Sequence, residues 1–426
     1  MADDYGAVLQ AAYPRVVASL ARTFRDMDVA QDATHDAIFR ALNSWPRDGV
    51  PQDPVAWLVI TGRNLVIDRM RRARFEQPLP EEWDVPDNSA ANATDAAAEH
   101  QHLKDDLLRL LFTCCHPALT EESQITLMLR IVLDLSVAEI AAAFLSTREA
   151  VERRITRAKA ALAAAGDGFV VPAEAELMPR QTAVLRVVYL LFNHAYSRQG
   201  DVGVYREKLL EQAIRLGREL VNLFSASGDT RALLALMLLT SARTDARYGA
   251  TGEFVPLTEQ DRKRWNWPRI REGRAVIDAV VSAGHPPSAY QIQAAIAALH
   301  DVPDAAQTDW AQIAGLYSLL ERHDPSPAVP VNRAVAMAFA GEKADAMALL
   351  DVLAEDRRLA NYQPLYAARA HVLVELGRLA AALMEYDRAI SLSDSAPEKG
   401  WLEARRASVA ARQYDSGEGR AGLETN

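Results

Sequence analysis

The sequence predicts an all-α protein. Apolar residues recur every three or four positions along nearly the whole chain, Ala and Leu dominate, and no convincing alternation of apolar and polar residues marks a β-strand. Breaks in the helical pattern indicate five segments. These are a helical unit over 5–75, a flexible acidic linker over 76–100, a second small helical unit over 101–165, a hinge over 166–178 and a larger helical domain over 179–415.

Composition excludes several classes of protein. The 426 residues are half hydrophobic and 24% charged, as in ordinary soluble globular proteins. The longest apolar stretches, 187–192 and 232–240, are far shorter than the ~20 residues of a membrane span. The acidic start lacks a secretory signal. We therefore expect a cytoplasmic protein that does not enter a membrane.

The only two cysteines, Cys114 and Cys115, are adjacent, so a disulfide framework is excluded. Adjacent cysteines do not easily hold one metal ion, and no second Cys/His cluster follows. We expect buried thiols at a helix end and no metal. No paired carboxylates or nucleophile–base arrangement stands out either, so we expect no catalytic residues, no cofactor and no enzymatic activity.

Charge is distributed unevenly along the chain. The formal net charge is −10, which a simple rule for nucleic-acid binders would count against DNA. Two short segments are nevertheless basic, because residues 54–74 carry net +4 and residues 147–160 carry net +3. Between them, residues 76–99 contain seven acids and no base. Two basic stripes separated by an acidic segment are not typical of a single solvated face.

The first basic stripe lies on a predicted helix that begins at Pro54, a residue suited to the first helical turn. Val59, Val66 and Met70 mark one side of this helix. The other side displays basic and amide groups together; it comprises Trp57, Thr61, Asn64, Asp68, Arg71 and Arg72. Taken alone, such a helix is more often a plain surface helix.

The second basic stripe belongs to a predicted helix-turn-helix over residues 136–162. Ser136 can cap the first helix and Thr147 the second, with residues 145–147 as the turn. On the second helix an apolar stripe faces the protein; it comprises Val151, Ile155, Ala158 and Leu162.

The opposite face of the second helix is polar and basic. It presents Arg148, Glu149, Glu152, Arg153, Thr156 and Arg157. Arg153 and Arg157 are suited to guanine edges, while Arg148, Arg154 and Lys159 are suited to phosphates. The alternative is an Arg-rich solvated helix in an ordinary bundle.

The large C-terminal segment ends in a repeat. Gly341 and Gly377 are 36 residues apart, as are Ala334 and Ala370, and Ala346 and Ala382; the second unit adds Tyr386 and Ala389. Small residues at these intervals favour close contact between antiparallel helices. The spacing resembles a tetratricopeptide (TPR) repeat, whose units bury their apolar faces by stacking on neighbours.

The motifs in order resemble an RNA polymerase sigma factor. They are DMDVAQDATHDAIFRAL at 26–42, PVAWLVITGRNLVIDRMRR at 54–72, the acidic linker and the closing helix-turn-helix. The resemblance is to the extracytoplasmic-function (ECF) group of the sigma-70 family, which keeps only the region-two and region-four domains. The repeat-containing extension is similar to that of the ECF group with a C-terminal TPR domain.

This resemblance implies core RNA polymerase and promoter DNA as partners. The polymerase-binding residues would be Asp32, Asp36, Phe39 and Arg40, docked on the clamp helices of the largest subunit, while region four would contact the flap. Asn64, Asp68, Arg71 and Arg72 would read and hold the melted −10 element, and the loop 43–53 would form the pocket for a flipped base. The helix from Arg148 to Lys159 would enter the major groove of the −35 element.

The acidic balance suits such a protein, since a sigma factor binds promoter DNA well only on core polymerase. We further expect the TPR-like domain to tune activity and to offer a surface for a regulatory protein. One alternative is a helix-turn-helix regulator with a TPR-like sensor that binds operators without polymerase. A third reading is a TPR scaffold whose basic helices are only surface.

Overall fold

The structure is a computed structural model, and it describes residues 2–74, 96–144, 146–166, 174–197 and 203–421. Within these ranges the secondary structure is helical apart from turns and one isolated bridge between Tyr248 and Phe254. The all-α prediction is therefore confirmed. Residues 76–95 of the predicted linker and 167–173 of the predicted hinge lie outside the described residues.

The α-helices are α1 (Ala2–Phe24), α2 (Met27–Asp48), α3 (Pro54–Arg74), α4 (Ala96–Cys114), α5 (Glu121–Leu127), α6 (Val137–Ala143), α7 (Arg148–Ala165), α8 (Glu174–Ser197), α9 (Gly203–Leu223), α10 (Gly228–Ser241), α11 (Trp267–Ser282), α12 (Ala289–His300), α13 (Trp310–Leu320), α14 (Ala328–Phe339), α15 (Lys343–Ala354), α16 (Gln363–Glu375), α17 (Leu379–Leu392) and α18 (Ala396–Ala421).

The chain forms two compact units, residues 1–216 and 217–426. The division falls inside α9, so α8 and most of α9 belong to the first unit although the sequence groups them with the C-terminal domain. The reason is local packing within the first unit. Helix α8 contacts α4 and α5, and the Gln212 side-chain amide of α9 donates to the Leu133 carbonyl at 3.1 Å.

Helices α1, α2 and α3 pack around small residues. Four of the seven buried residues of α2 are Ala, and Ala30, Ala33 and Ala37 are fully buried, which lets the neighbouring helices approach closely. On α3 the matching position is Gly62, where a Cβ atom would lie 2.9 Å from the Leu20 Cδ1 and 3.0 Å from the Ala33 carbonyl oxygen. A Cβ atom at this crossing would therefore require Leu20 and the backbone of α2 to shift.

Helix α5 continues into a π-helical turn, Met128–Val132, that forms the apolar centre of the second small bundle. Its residues Met128, Leu129 and Ile131 are fully buried. The turn stops at Asp134, which takes a positive φ of 53°. Leu135, which is buried, follows this residue. Helices α6 and α7, the predicted helix-turn-helix, come next.

In the second unit, helix pairs α14–α15 and α16–α17 repeat the same structure. Gly341 and Gly377 both take positive φ, 99° and 74°, and each follows the first helix of its pair. The equivalent positions Ala334 and Ala370 are both fully buried. The 36-residue interval in the sequence therefore corresponds to a repeated helix pair in a helical C-terminal domain.

Several element ends differ from the prediction. Helix α2 runs to Asp48, so 43–48 of the predicted loop 43–53 are helical, because Trp45 is buried at 2% exposure and holds the last turn in place. Helix α4 begins at Ala96 and α8 at Glu174, so five residues at the end of the linker and five of the hinge are helical. Helix α18 extends beyond 415, to Ala421.

Candidate nucleic-acid interface

Helix α7 is fixed in place by caps that the sequence displays. The Ser136 hydroxyl accepts from the Glu139 amide at 3.2 Å, and the Glu139 carboxylate accepts from the Ser136 amide at 2.8 Å, forming a complete capping box at the start of α6. The Thr147 hydroxyl accepts from the Ala150 amide at 3.2 Å and begins α7. These bonds satisfy amides that have no partner inside the helix, so both predicted caps are confirmed.

The outer face of α7 is open to solvent. Val151 and Ala158 are buried on the inner side. All six side chains assigned to the −35 element are exposed, namely Arg148, Glu149, Glu152, Arg153, Thr156 and Arg157. A bond to its own backbone amide and a bond from Thr147 lower the pKa of the Glu149 carboxyl, so this acceptor is charged at neutral pH.

Two further cations of α7 lie elsewhere. Arg154 is half-buried and pairs with Glu122 of α5 at 3.0 Å. Lys159 pairs with Asp28 of α2. Their suggested role as phosphate contacts therefore competes with ion pairs inside the protein.

Helix α3 exposes a second polar face. Asn64, Asp68, Arg71 and Arg72, the residues assigned to the −10 element, are all exposed. Trp57, which the helical pattern places on the same side, is instead half-buried and packs edge-on against Trp45 with ring centroids 5.6 Å apart. The aromatic part of this face thus serves packing, whereas the basic part is exposed to solvent.

The residues assigned to polymerase lie along α2. Asp32 and Arg40 are exposed, and Phe39 is 69% exposed. Asp36 is half-buried and forms an ion pair with Arg69 of α3. This ion pair connects α2 to α3, so the exposed surface of α2 lies next to the exposed polar face of α3.

Comparison with known families finds a match for the segment that contains α3 and another for the segment that contains α7. Residues 8–76 match sigma-70 region 2, which covers α1 to α3, and residues 109–162 match sigma-70 region 4, which includes α5 to α7. The chain belongs to the sigma-70 family. Sigma factors act in transcription initiation and promoter recognition.

The extension of this sigma factor also has relatives. Residues 180–281 match a family of unknown function, DUF6596. An uncharacterized protein, R00370, of Rhizobium meliloti (strain 1021) is 43% identical over 410 residues, which cover 95% of each chain. The similarity thus includes the extension as well as the sigma domains. No solved structure matches the chain.

A polar junction between region 2 and region 4 was not foreseen from the sequence of this sigma factor. The Gln31 side-chain amide, 3% exposed, donates to the Arg130 carbonyl at 3.0 Å and to the Tyr13 hydroxyl at 3.1 Å. The His35 Nε2 lies 2.9 Å from the Asp134 carboxylate. Residues 31 and 130, and 35 and 134, are 99 positions apart, so no local pattern reveals them. The one sequence signal is Gln31 itself, a polar residue within the Ala-rich buried face of α2.

The contacts at this junction also shift the pKa values of His35 and Tyr13. The bond to Asp134 raises the pKa of the His35 imidazole, against an opposing effect of burial. Burial raises the pKa of the Tyr13 hydroxyl far above its ordinary value.

A second buried contact joins the two sigma domains. Arg22 of α1 pairs at 2.9 Å with Asp106 of α4, which is 1% exposed. The two sigma domains therefore share buried polar contacts.

The cysteine segment has a structural environment. Cys114 and Cys115 are fully buried at the end of α4, and burial raises the pKa of the Cys114 thiol to about 12. Both thiols are therefore protonated at neutral pH, as expected of buried helix-end cysteines. Among the residues that the structure describes, no group of three His, Cys, Asp or Glu side chains is arranged to hold a metal ion. No helix in the same ranges is long and apolar enough to cross a membrane.

Proposed function

We propose that this sigma factor directs core RNA polymerase to promoters whose −35 element is read by α7 and whose −10 element is read and melted by region 2. The observation that supports this most is the pair of exposed basic faces. Each lies on a separate sigma domain, and all ten side chains assigned to DNA are solvent-accessible. A protein that only scaffolds others has no need for two such faces.

The spacing on α7 suits the major groove. Arg153 and Arg157 are four residues apart, so they project from the same side about 6 Å apart along the axis, close to two base-pair steps. Arginine pairs bidentately with guanine, and carboxylates such as Glu149 and Glu152 accept from the cytosine amino group. The face therefore carries both kinds of base-reading group, with Arg148 beside them for a phosphate.

The face on α3 suits separated strands. Extruding or unpairing a base costs a few kcal/mol, which contacts to the single strand must offset. Arg71 and Arg72 supply charge for the backbone, and Asn64 supplies an amide for a base edge. Since Trp45 is buried, a flipped base would be received by the true loop, residues 49–53, rather than by the whole predicted segment 43–53.

Polymerase docking would use the outer face of α2. Phe39 exposes 69% of its surface, and a large exposed apolar side chain rimmed by charges is typical of a protein–protein contact. Asp32 and Arg40 provide that rim, and Asp36 lies at its edge. We assign this face to the clamp helices of the largest subunit and region 4 to the flap.

We also propose that the extension tunes activity. Helix α9 contacts both sigma domains. Arg215 donates to the Gln10 side chain of α1 at 2.6 Å, and Lys208 pairs with Glu139 of α6 at 2.7 Å. A helix held on region 2 and region 4 together can restrain or support their separation on a promoter. A regulatory protein bound to the TPR-like domain would act through this extension.

Run-off transcription tests the central proposal. Purified core polymerase is incubated with a library of promoter fragments, with and without the full chain. We expect start sites that appear only when both proteins are present. DNA retention by the chain alone without any new start would instead establish an operator-binding regulator. The absence of both activities would leave a latent sigma factor or a scaffold, which the same assay on residues 1–165 separates.

The tuning proposal has its own variant. Lys208→Glu places two negative charges side by side at the contact between α9 and α6, so the yield of run-off product should change. A rise means that the extension restrains the sigma domains, and a fall means that it supports them. Lys208→Arg and the neighbouring exposed Glu207→Gln serve as controls that should leave the yield unchanged. An unaltered yield with Lys208→Glu contradicts the proposal.

A further inference from the structure

The second unit contains a cavity of about 670 Å³. This volume lies within the usual range of small-molecule sites, roughly 300–1,000 Å³. Helices α13, α14, α16 and α18 line it, together with the segment 254–259, which precedes α11. None of the residues assigned to DNA or polymerase lies in this unit, so the cavity is separate from the surfaces described above.

The segment 254–259 is a fixed wall of this cavity. The Val255 amide donates to the Arg247 carbonyl at 2.9 Å, and the Gln260 side-chain amide donates to the Val255 carbonyl at 3.2 Å. The indole Nε1 of Trp265, a buried residue, donates in turn to the Gln260 side-chain oxygen at 3.2 Å. These bonds hold the segment in place whether or not a ligand is present.

The same segment fills part of the groove along α18. Phe254 packs edge-on against Trp401 with ring centroids 6.1 Å apart, and Glu259 forms an ion pair with Arg405. Helix α18 lines the cavity over residues 398–412, and both contacts fall inside that stretch. A long chain laid along α18 would meet the segment 254–259. The remaining space therefore suits a compact molecule better than an extended peptide.

The wall opposite this segment is aromatic. Trp310, Phe339 and His371 form a stack, with centroids 4.4 Å apart for the first pair and 5.1 Å for the second. Phe339 remains 39% exposed, so part of its ring is available to a ligand. Aromatic rings pair favourably with one another in offset-stacked or edge-on contacts. The wall therefore favours a ligand that is itself aromatic.

The charged side chains around the cavity balance one another. Three acids and two bases line it, namely Glu259, Glu375, Glu398, Arg405 and Arg412. Lys343 adds a third base and pairs with Glu375 at 2.8 Å. Its hydrogen bond lowers the pKa of the Glu375 carboxyl, and the charge of Arg412 adds to that effect. Glu398 and Arg412 also interact with other groups of the protein. A charged ligand would lose hydration without gaining an unpaired counter-charge, so the cavity favours an uncharged one.

The other polar groups of the lining are neutral. Burial lowers the pKa of His300 to about 3 and also lowers that of His371, so both imidazoles are uncharged at pH 7. Burial raises the pKa of Tyr317 to about 12, so its hydroxyl keeps its proton and can donate. The amides of Asn332 and Gln363 complete this set. A few neutral polar groups among apolar walls are typical of sites that orient a neutral ligand.

We propose that this cavity binds an uncharged aromatic small molecule that carries a hydrogen-bond acceptor, with its ring against Phe339 and its acceptor on the Tyr317 hydroxyl. Binding of such a molecule is a property of the second unit alone. Its meaning for transcription, as a signal received by the extension, rests on the proposed function.

Prodan, an uncharged fluorescent naphthyl ketone, is the probe for the full chain. We expect saturable binding of one molecule per chain with a blue shift of its emission. Acetylnaphthalene, which is uncharged and carries an acceptor, should compete at least tenfold more strongly than naphthoate or naphthylmethylammonium, which have similar size and opposite charges. The absence of saturable Prodan binding, or equal competition by either charged compound, overturns the proposal.

Variants locate the site. Phe339→Ala should weaken Prodan binding at least tenfold. Ser408→Trp fills the cavity from α18 without removing an aromatic wall, and should do the same. Met384→Ala, at a 74% exposed position on α17 outside the cavity, is the matched control and should bind normally. Normal Prodan binding by both Phe339→Ala and Ser408→Trp overturns the assignment to this cavity.

Tyr317→Phe tests the acceptor, because it removes the hydroxyl and keeps the ring. Ethylnaphthalene has the shape of acetylnaphthalene but no acceptor. The ratio of acetylnaphthalene affinity to ethylnaphthalene affinity should therefore fall at least fivefold in this variant, while Prodan still binds. An unchanged ratio overturns the role given to the Tyr317 hydroxyl.

Two further readouts keep the conclusions separate. If an uncharged dodecapeptide with one Phe competes with Prodan as strongly as acetylnaphthalene does, the cavity serves a peptide and the small-molecule assignment is wrong. Run-off transcription by the same preparation reports the sigma activity independently. Normal run-off without Prodan binding overturns only the cavity proposal, whereas Prodan binding without run-off overturns only the proposed function.

Discussion

Helices α3 and α7 both present basic faces, but they are held in place in different ways. Helix α7 depends on its neighbours in sequence, since Ser136, Glu139 and Thr147 supply its caps and those of α6. Helix α3 depends on distant contacts, through Gly62 against α1 and α2 and through Arg69 against Asp36. The comparison teaches that local capping positions the exposed face of α7, whereas the exposed face of α3 depends on packing against α1 and α2.

The largest effect should come from the face on α3. Replacing Arg71 and Arg72 with Ala removes two exposed cations near its C-terminal end, so contacts that offset strand separation are lost. We expect the new start sites to disappear in run-off assays. Holoenzyme affinity for a single-stranded −10 oligonucleotide should fall, while affinity for a duplex −35 fragment stays unchanged. Equal loss on both probes would contradict a division of labour between the helices.

The α7 face should show the reverse pattern with a somewhat smaller effect. Arg153→Ala removes one candidate bidentate contact, worth about 1–3 kcal/mol. We expect weaker holoenzyme binding to the duplex −35 fragment and relaxed preference at one base pair. Binding to the single-stranded −10 oligonucleotide is the internal control. Uniform weakening across all −35 sequences would assign Arg153 to a phosphate instead.

Cap substitutions sharpen the comparison at the level of stability. Ser136→Ala breaks the capping box and should cost about 1 kcal/mol, seen as faster hydrogen exchange throughout α6. Asp53→Ala removes the side chain that accepts from the Ala56 amide at 3.0 Å at the start of α3. Because distant packing holds α3, we expect faster exchange only in its first turn. Loosening of the whole of α3 would show that it too depends on local capping.

The smallest effect is a pH dependence at the domain junction. The pKa of His35 is raised in the folded protein by Asp134, so the protonated imidazole stabilises the junction. This contribution is complete below the unfolded pKa of about 6.5 and is lost as pH rises through the higher folded value. Hydrogen exchange in α2 should therefore quicken above that value beyond its intrinsic pH trend, and His35→Gln should abolish the excess. An identical excess in the variant would contradict this.

Much of the fold could be predicted because its signals are local. Caps at Ser136 and Thr147, the start at Pro54 and the 36-residue interval from Gly341 to Gly377 each express geometry within a few residues or one repeat. The predicted start of the loop at residue 43 was wrong. Contact between Trp45 and Trp57 holds the last turn of α2 in helical form, and no local turn signal reveals that contact.

The candidate site was predictable to a lesser degree for the same reason. The helical period is enough to place Arg71 and Arg153 on outer faces, but it does not report which cations are already paired. Lys159 and Asp28 are 131 positions apart, and Gln31 meets Arg130 across 99. Such pairings depend on how whole helices approach one another. Which exposed residues touch DNA or polymerase stays a prediction until the variants are measured.

The glycines at 341 and 377 also bear on how such a chain can evolve. Each turn allows a positive φ that other residues adopt only with strain, and the two helix pairs that contain these turns bury equivalent alanines, Ala334 and Ala370. A duplication of one 36-residue unit would therefore bring its own turn and its own complementary surface. The domain can therefore gain or lose one helix pair during evolution while the contacts between neighbouring pairs are preserved. Its length can change in this way without a change in the residues of its core.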